Sequence, residues 1–170
     1  MDGQVTTQQG RRGDQILISL AALFALLPAA VGQRRDLTPR EPEVFTHFSR
    51  DQNRQAFPPA VWEFRNSSPR GAVISWELRP FTNAAAPQQQ LDADVRVRLV
   101  QASTRGRWRA TRDYASTNFQ QGRDAAIVNV AADGRGQGVA ELLVRMVTPR
   151  PQQVASGAWQ STLTGTISGP

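Results

Sequence analysis

The 170-residue chain carries twenty basic residues, every one an arginine, against fourteen acids, one histidine and no cysteine, for a net charge of +6. That inventory excludes disulfide staples, thiol catalysis, the lipid-bearing cysteine of a bacterial lipoprotein, and metal centres built from several histidines and cysteines. Guanidinium groups favour acidic partners, because the planar fork binds carboxylate, phosphate or sulfate bidentately. The arginines are dispersed and Ala, Gly and Pro are abundant beside them, so codon bias in a GC-rich genome is the plainer account of the missing lysine.

In chain order, the first feature is an apolar run from Ile16 to Ala30, broken only by Ser19 and Pro28 and preceded by Arg11 and Arg12. A basic lead, at most fifteen apolar residues and small residues at Ala30 and Gly32 predict a signal peptide over residues 1–32, cleaved ahead of Gln33. The run is too short to span a bilayer, which needs about 20 apolar residues, so no stable membrane span is expected after cleavage. Gly13, Asp14 and Gln15 stand where a twin-arginine signal has apolar residues, which leaves the general secretory route. Removing residues 1–32 takes two arginines and two aspartates, so the exported chain keeps its charge of +6.

Residues 33–59 are polar and marked by Pro39, Pro42, Pro58 and Pro59, a composition that resists helix and central strand alike. They predict an extended arm with one apolar patch, Val44 to Phe48, suited to an edge strand. Val44, Phe45 and Phe48 are the candidate assembly residues, adding as a strand to their own domain or to a neighbour.

From Ala60 the pattern alternates with period two, as half-buried strands do. Trp62 and Phe64 oppose Glu63 and Arg65; Ala72, Ile74, Trp76 and Leu78 oppose Val73, Ser75, Glu77 and Arg79. Val95, Val97 and Leu99 oppose Arg96 and Arg98, and weaker alternation surrounds Trp108. Further strands are expected at Ala126–Val130, Val139–Val147 and the stretch around Trp159, Leu163 and Ile167. Ala86 to Gln90 and Tyr114 to Gly122 read as loops, and Asp133 to Gly138 as a glycine-rich hairpin turn rather than a dinucleotide fingerprint. About seven strands and no helical period predict an all-β fold over residues 60–170, an immunoglobulin-like antiparallel β-sandwich behind the signal peptide and arm.

Catalytic candidates are few. His47, alone in the arm, has no partners for a metal or a Ser-His-Asp triad and reads as a surface residue. Glu63 and Glu77 are the carboxylate pair a glycosidase would need, with cross-strand ion pairing to Arg65 and Arg79 as the simpler role. Asp92 and Asp94 lack the further acids of a calcium loop and read as solvated charges beside Arg96 and Arg98. The candidate ligand-binding set is Arg107, Trp108, Arg109, Arg112 and Tyr114, aromatics that could stack on sugar rings among guanidinium groups. Core packing is the competing role for Trp108. No residue pattern calls for a cofactor or metal.

The ending Ala155-Ser-Gly-Ala-Trp-Gln-Ser-Thr-Leu-Thr-Gly-Thr-Ile167 resembles the closing strand of secreted fimbrial-subunit and spore-coat-like sandwiches, with Trp159 where those proteins usually have tyrosine. The resemblance covers that strand and the export signal, and implies a surface or appendage subunit that assembles through strand exchange. Taken together, the sequence predicts a non-catalytic exported sandwich, secreted, periplasmic or on the cell surface, serving as a cell-surface, matrix or appendage structural subunit. A module binding glycan or acidic polymer, such as acidic polysaccharide or a cell-envelope polymer, is the alternative, and a small envelope hydrolase using Glu63 and Glu77 the third reading. Nucleic acid is not an expected partner.

Overall fold

The computed structural model describes residues 17–24, 34–40, 43–47, 53–150 and 153–170. The expected cleavage region at Ala30 to Gly32 and the candidate assembly residue Phe48 lie outside them. The described chain is all-β. Its strands are β1 (Leu17–Phe24), β2 (Arg35–Pro39), β3 (Glu43–His47), β4 (Arg54–Ala56), β5 (Ala60–Asn66), β6 (Ala72–Leu78), β7 (Phe81–Asn83) and β8 (Ala86–Leu91). They continue through β9 (Ala93–Ala102), β10 (Arg109–Arg112), β11 (Tyr114–Ser116), β12 (Ala126–Ala132), β13 (Gly136–Val147) and β14 (Trp159–Ser168), with short 3-10 turns at Thr104–Gly106 and Phe119–Gln121.

Two sheets face each other. Sheet A runs β10-β12-β6-β14-β1-β3, with β7 paired to β14 and β8 to β7; sheet B runs β11-β9-β13-β5-β2, with β4 also on β13. Every pairing is antiparallel except β1 with β14, which is parallel from Ile18↔Trp159 to Phe24↔Gly165. β5 and β6 lie in opposite sheets, as do β12 and β13. Asp133 to Gly138 therefore arches from sheet A to sheet B and is not the hairpin turn that its glycines suggest, because alternation fixes which face is buried but not which layer a strand joins.

The period-two reading holds where one face is buried. In β6 the residues Ala72, Ile74, Trp76 and Leu78 are all inaccessible, and β12 and β13 alternate in the same way. The core joins the sheets through aromatic contacts: Trp62 meets Trp76 edge-on at 6.3 Å, and Phe57 stacks on Phe81 at 5.1 Å. Gly165 of β14 lies beneath Trp62; a Cβ there would come within 2.6 Å of the indole. Where no face is buried the pattern is silent. Ala86 to Leu91, expected as a loop, is a strand with its glutamines exposed, held by pairing to β7. Tyr114 to Gly122 likewise contains β11, paired with β9, and the turn at Phe119–Gln121.

The arm contributes strands to both sheets. β2 pairs with β5 from Arg35↔Asn66 to Pro39↔Trp62, and β4 pairs with the end of β13. β3, which holds Val44 and Phe45, sits at the margin of sheet A, pairing with β1 from Leu17↔His47 to Ala21↔Glu43. The apolar run read as the leader thus places Leu17–Phe24 between β14 and β3. Among the described residues no helix is long and apolar enough to cross a membrane.

Candidate functional site

One end of the sandwich gathers three turns. The β5–β6 arch, the turn at Thr104–Gly106 and the β12–β13 arch are tied together by hydrogen bonds. Asn66 donates from Nδ2 to the carbonyls of Ser68 and Gly134 at 3.1 and 3.0 Å, while its Oδ1 accepts from the Ser68 amide. The Asp133 amide donates to the Gly106 carbonyl at 3.0 Å. Ser103 and Gln137 exchange two bonds, amide to carbonyl at 2.9 Å and amide to Oγ at 3.1 Å. Gly71, at φ +90° within the first arch, is pressed so closely against the Ala132 carbonyl that a Cβ would fall 2.1 Å from its oxygen.

These ties fix the backbone that carries Arg65 at the end of β5, Arg105 in the turn and Arg135 in the second arch. All three side chains are exposed around a groove of about 490 Å³, shared with Ser67, Ser103, Thr104 and Gln137, and no carboxylate lines it. Arg65, Ser103 and Gln137 also line a neighbouring groove of about 650 Å³ on the outer face of sheet B, together with Arg34, Asp36, Arg40 and Glu63. A register shift in β9 opposite Val139/Ala140 leaves Val100 unpaired. The bulge re-aims the strand, so that Arg96 and Arg98 face out before it and Gln101 reaches the groove after it.

The two grooves differ electrostatically. In the larger one the carboxylates are taken: Arg34 holds Asp36 at 2.8 Å and Arg40 holds Glu63. In the smaller one Arg65, Arg105 and Arg135 have no ion pair among the described residues. Asp133, on the same arch as Arg135, is held by Arg109 at 2.7 Å. That hydrogen bond, with the nearby Arg109 and Arg107 charges, lowers the Asp133 carboxyl below its ordinary value and the same bond raises Arg109.

The candidate ligand set from the sequence is divided between the core and the two sheets. Trp108 is buried, its ring 4.4 Å from Phe64 in the core, so it presents no stacking platform. Tyr114 is 38% exposed, but on β11 of sheet B, with the Arg96 guanidinium 5.7 Å from its ring. Arg109 and Arg112 lie on β10 of sheet A, and Arg107 takes the left-handed conformation that closes the turn, φ 47°. Glu63 and Glu77 are likewise separated, one on sheet B and one on sheet A, so they form no carboxylate pair for hydrolysis; Glu77 pairs with Arg79 at 2.7 Å, two residues along its own chain segment and not across strands, and Glu63 pairs with Arg40 instead of Arg65. Asp94 is not a solvated charge beside Arg96 and Arg98. It is 1% exposed and bonded to Arg145 at 2.8 Å, while Asp92 accepts from Thr117 and the Phe119 amide.

Among the described residues no group of three or more His, Asp or Glu is placed to hold a metal. A third hollow, of about 750 Å³, is lined by Gln88 to Gln90, Phe119, Arg150 and Trp159. Arg65, Arg105 and Arg135 escape sequence reading because each stands beside ordinary turn residues, and they converge only through pairings distant in sequence. No family model matches the chain, and no curated protein matches it.

Proposed function

We propose that this chain is an exported, non-catalytic β-sandwich serving as a cell-surface, matrix or appendage subunit that assembles by strand addition. The observation that carries the reading is the place of Leu17–Phe24. The residues that read as the apolar core of an export leader occupy the outward edge of β14, in parallel register with Trp159 to Gly165. Cleavage after Gly32 removes that strand and leaves a seven-residue edge with unpaired N–H and C=O groups. Such an edge is a template for another strand, which gains main-chain hydrogen bonds on docking. The segment Glu43–His47 already runs antiparallel to β1 and stands one strand further out, a spacing of about 4.8 Å. It is the natural donor from a second copy. The separation of Glu63 and Glu77 into different sheets supports a non-catalytic role over the hydrolase reading.

The test compares the full chain with the secreted material. Mass spectrometry is expected to find a mature start near Gln33, and light scattering to find assemblies that the full chain does not form. Intact residues 1–32 in secreted protein, or a mature chain that is monomeric at high concentration, overturns the reading.

A second reading, binding of acidic polymer, is favoured by the arginine-lined grooves at the tied end of the sandwich. Its test is retention on an anionic glycan column that falls as salt rises, since exposed charges are screened within about 10 Å at 0.1 M.

A further inference from the structure

We infer that the groove bounded by Arg65, Arg105 and Arg135 is a binding site for the carboxylate or sulfate groups of an anionic polysaccharide, a proposal that rests on the acidic-polymer reading. Three guanidinium groups, one from the end of β5 and two from separate turns, share one groove without a carboxylate among its lining residues. Like charges gathered in this way repel one another, and a bound anion relieves that repulsion while filling the guanidinium forks bidentately. The turns beneath are cross-tied by Asn66, by the Asp133–Gly106 bond and by the Ser103–Gln137 pair, so little backbone ordering remains to oppose binding.

Two features favour a polysaccharide over other polyanions. The groove continues through Arg65 and Gln137 into the larger groove on the outer face of sheet B, where Arg34 and Arg40 are each paired with a carboxylate. An extended polymer, with a charged unit at the three unpaired arginines and neutral sugar hydroxyls along the larger groove, fits that continuity better than a single small anion. Thr104 adds a hydroxyl suited to sugar hydroxyl groups, and Ser67, whose hydroxyl donates to the Arg34 carbonyl, adds an acceptor, whereas neither groove is lined by an exposed aromatic ring of the kind that stacks bases in single-stranded nucleic acid sites.

The experiment measures affinity of the full chain for polygalacturonate and dextran sulfate at fixed low salt, with neutral dextran, a single-stranded oligonucleotide and inorganic sulfate as comparison probes. Arg65→Gln, Arg105→Gln and Arg135→Gln are each expected to weaken binding about fivefold, and the triple variant more than tenfold. Arg123→Gln, an exposed arginine outside both grooves, is expected to change it less than about twofold. Replacing all three by lysine keeps the charge and is expected to recover only part of the affinity, because the fork is lost. Melting temperature confirms that each variant is folded. A triple variant that binds like Arg123→Gln while the unsubstituted chain binds well overturns the site and leaves the acidic-polymer reading standing. Absence of binding by the unsubstituted chain overturns both. Tighter binding of the oligonucleotide, or competition by inorganic sulfate at equal charge concentration, overturns the polysaccharide assignment.

Discussion

Asp94 and Arg145 face each other across β9 and β13, and the Arg145 Nε donates to the Asp94 carboxylate at 2.8 Å although that carboxylate is only 1% exposed. Arg54 of β4 adds a looser contact at 3.8 Å. A buried carboxylate loses its hydration on folding, and what keeps it tolerable is the guanidinium opposite. Arg145→Ala is therefore expected to destabilise the protein by about 2–4 kcal/mol in urea titration, less than a fully enclosed pair because Arg145 keeps some contact with water. Adding Asp94→Asn to Arg145→Ala is expected to recover part of that loss. A single-variant cost below about 0.5 kcal/mol is the contrary outcome.

Trp108 packs on Phe64, whose ring lies so close to Gly138 that a Cβ there would come within 2.4 Å of it. This layer has no slack. Trp108→Ala opens a cavity and is expected to cost about 3–5 kcal/mol, and Gly138→Val to destabilise by overpacking. Trp108 also lies against Gly106 and Gly136, beside the turns that carry Arg105 and Arg135. Retention on an acidic glycan is expected to stay the same in Trp108→Phe, which keeps an aromatic ring in that layer. Selective loss of retention in a fully stable Trp108→Phe variant would return the ring to a binding role.

Strands with one buried face were legible as strands from residue spacing alone, because Ala72 to Leu78 or Val139 to Val147 cannot alternate without burying one face. What spacing does not carry is the layer each strand joins. Asp133 to Gly138 reads as a hairpin turn, and it is the pairing of β12 with β6 and of β13 with β5 and β9, in opposite sheets, that makes it an arch. β8 was hidden because an exposed edge strand needs no apolar residue, and Gln88 to Gln90 show none. The groove arginines were hidden for a related reason: Arg65, Arg105 and Arg135 are each unexceptional locally, and pairings of β5 with β13 and of β9 with β13 bring their turns together. Asp94 looked like its neighbour Asp92, although the residue facing it across the strands is an arginine and the burial around it is set by β4 and β13.

The Asp133–Arg109 pair gives the protein a small acid sensitivity of known sign. Hydrogen bonding to Arg109 lowers the folded-state carboxyl below its ordinary 3.8. Stability from this group is thus present above the unfolded value and is lost as pH falls through the folded one. The pair is exposed, so Asp133→Asn is expected to lower Tm at pH 7 by at most about 3 °C. The difference between variant and unsubstituted protein is expected to shrink to nothing as the pH drops below 3.8 and the carboxylate is protonated. Melting curves across that window check it; a difference that grows toward acid contradicts the assignment.

The parallel pairing of β1 with β14 makes a directional prediction about assembly. If residues 1–32 are removed on export, the vacated position beside Trp159 to Gly165 can be filled again from outside. A synthetic peptide spanning Ile16 to Ala25, added to the mature chain, is expected to occupy it and hold the protein as a monomer. The donor side has its own signature. Thr46 lies within β3, opposite Ile18, and proline there removes an N–H and resists the regular ladder. Thr46→Pro in the mature chain is expected to abolish assembly and to leave Tm nearly unchanged, since β3 is marginal to sheet A. Light scattering with and without peptide reads both arms. Assembly that persists in Thr46→Pro and is indifferent to the peptide would mean that copies meet through another surface and that the edge of β14 is closed by the chain's own residues.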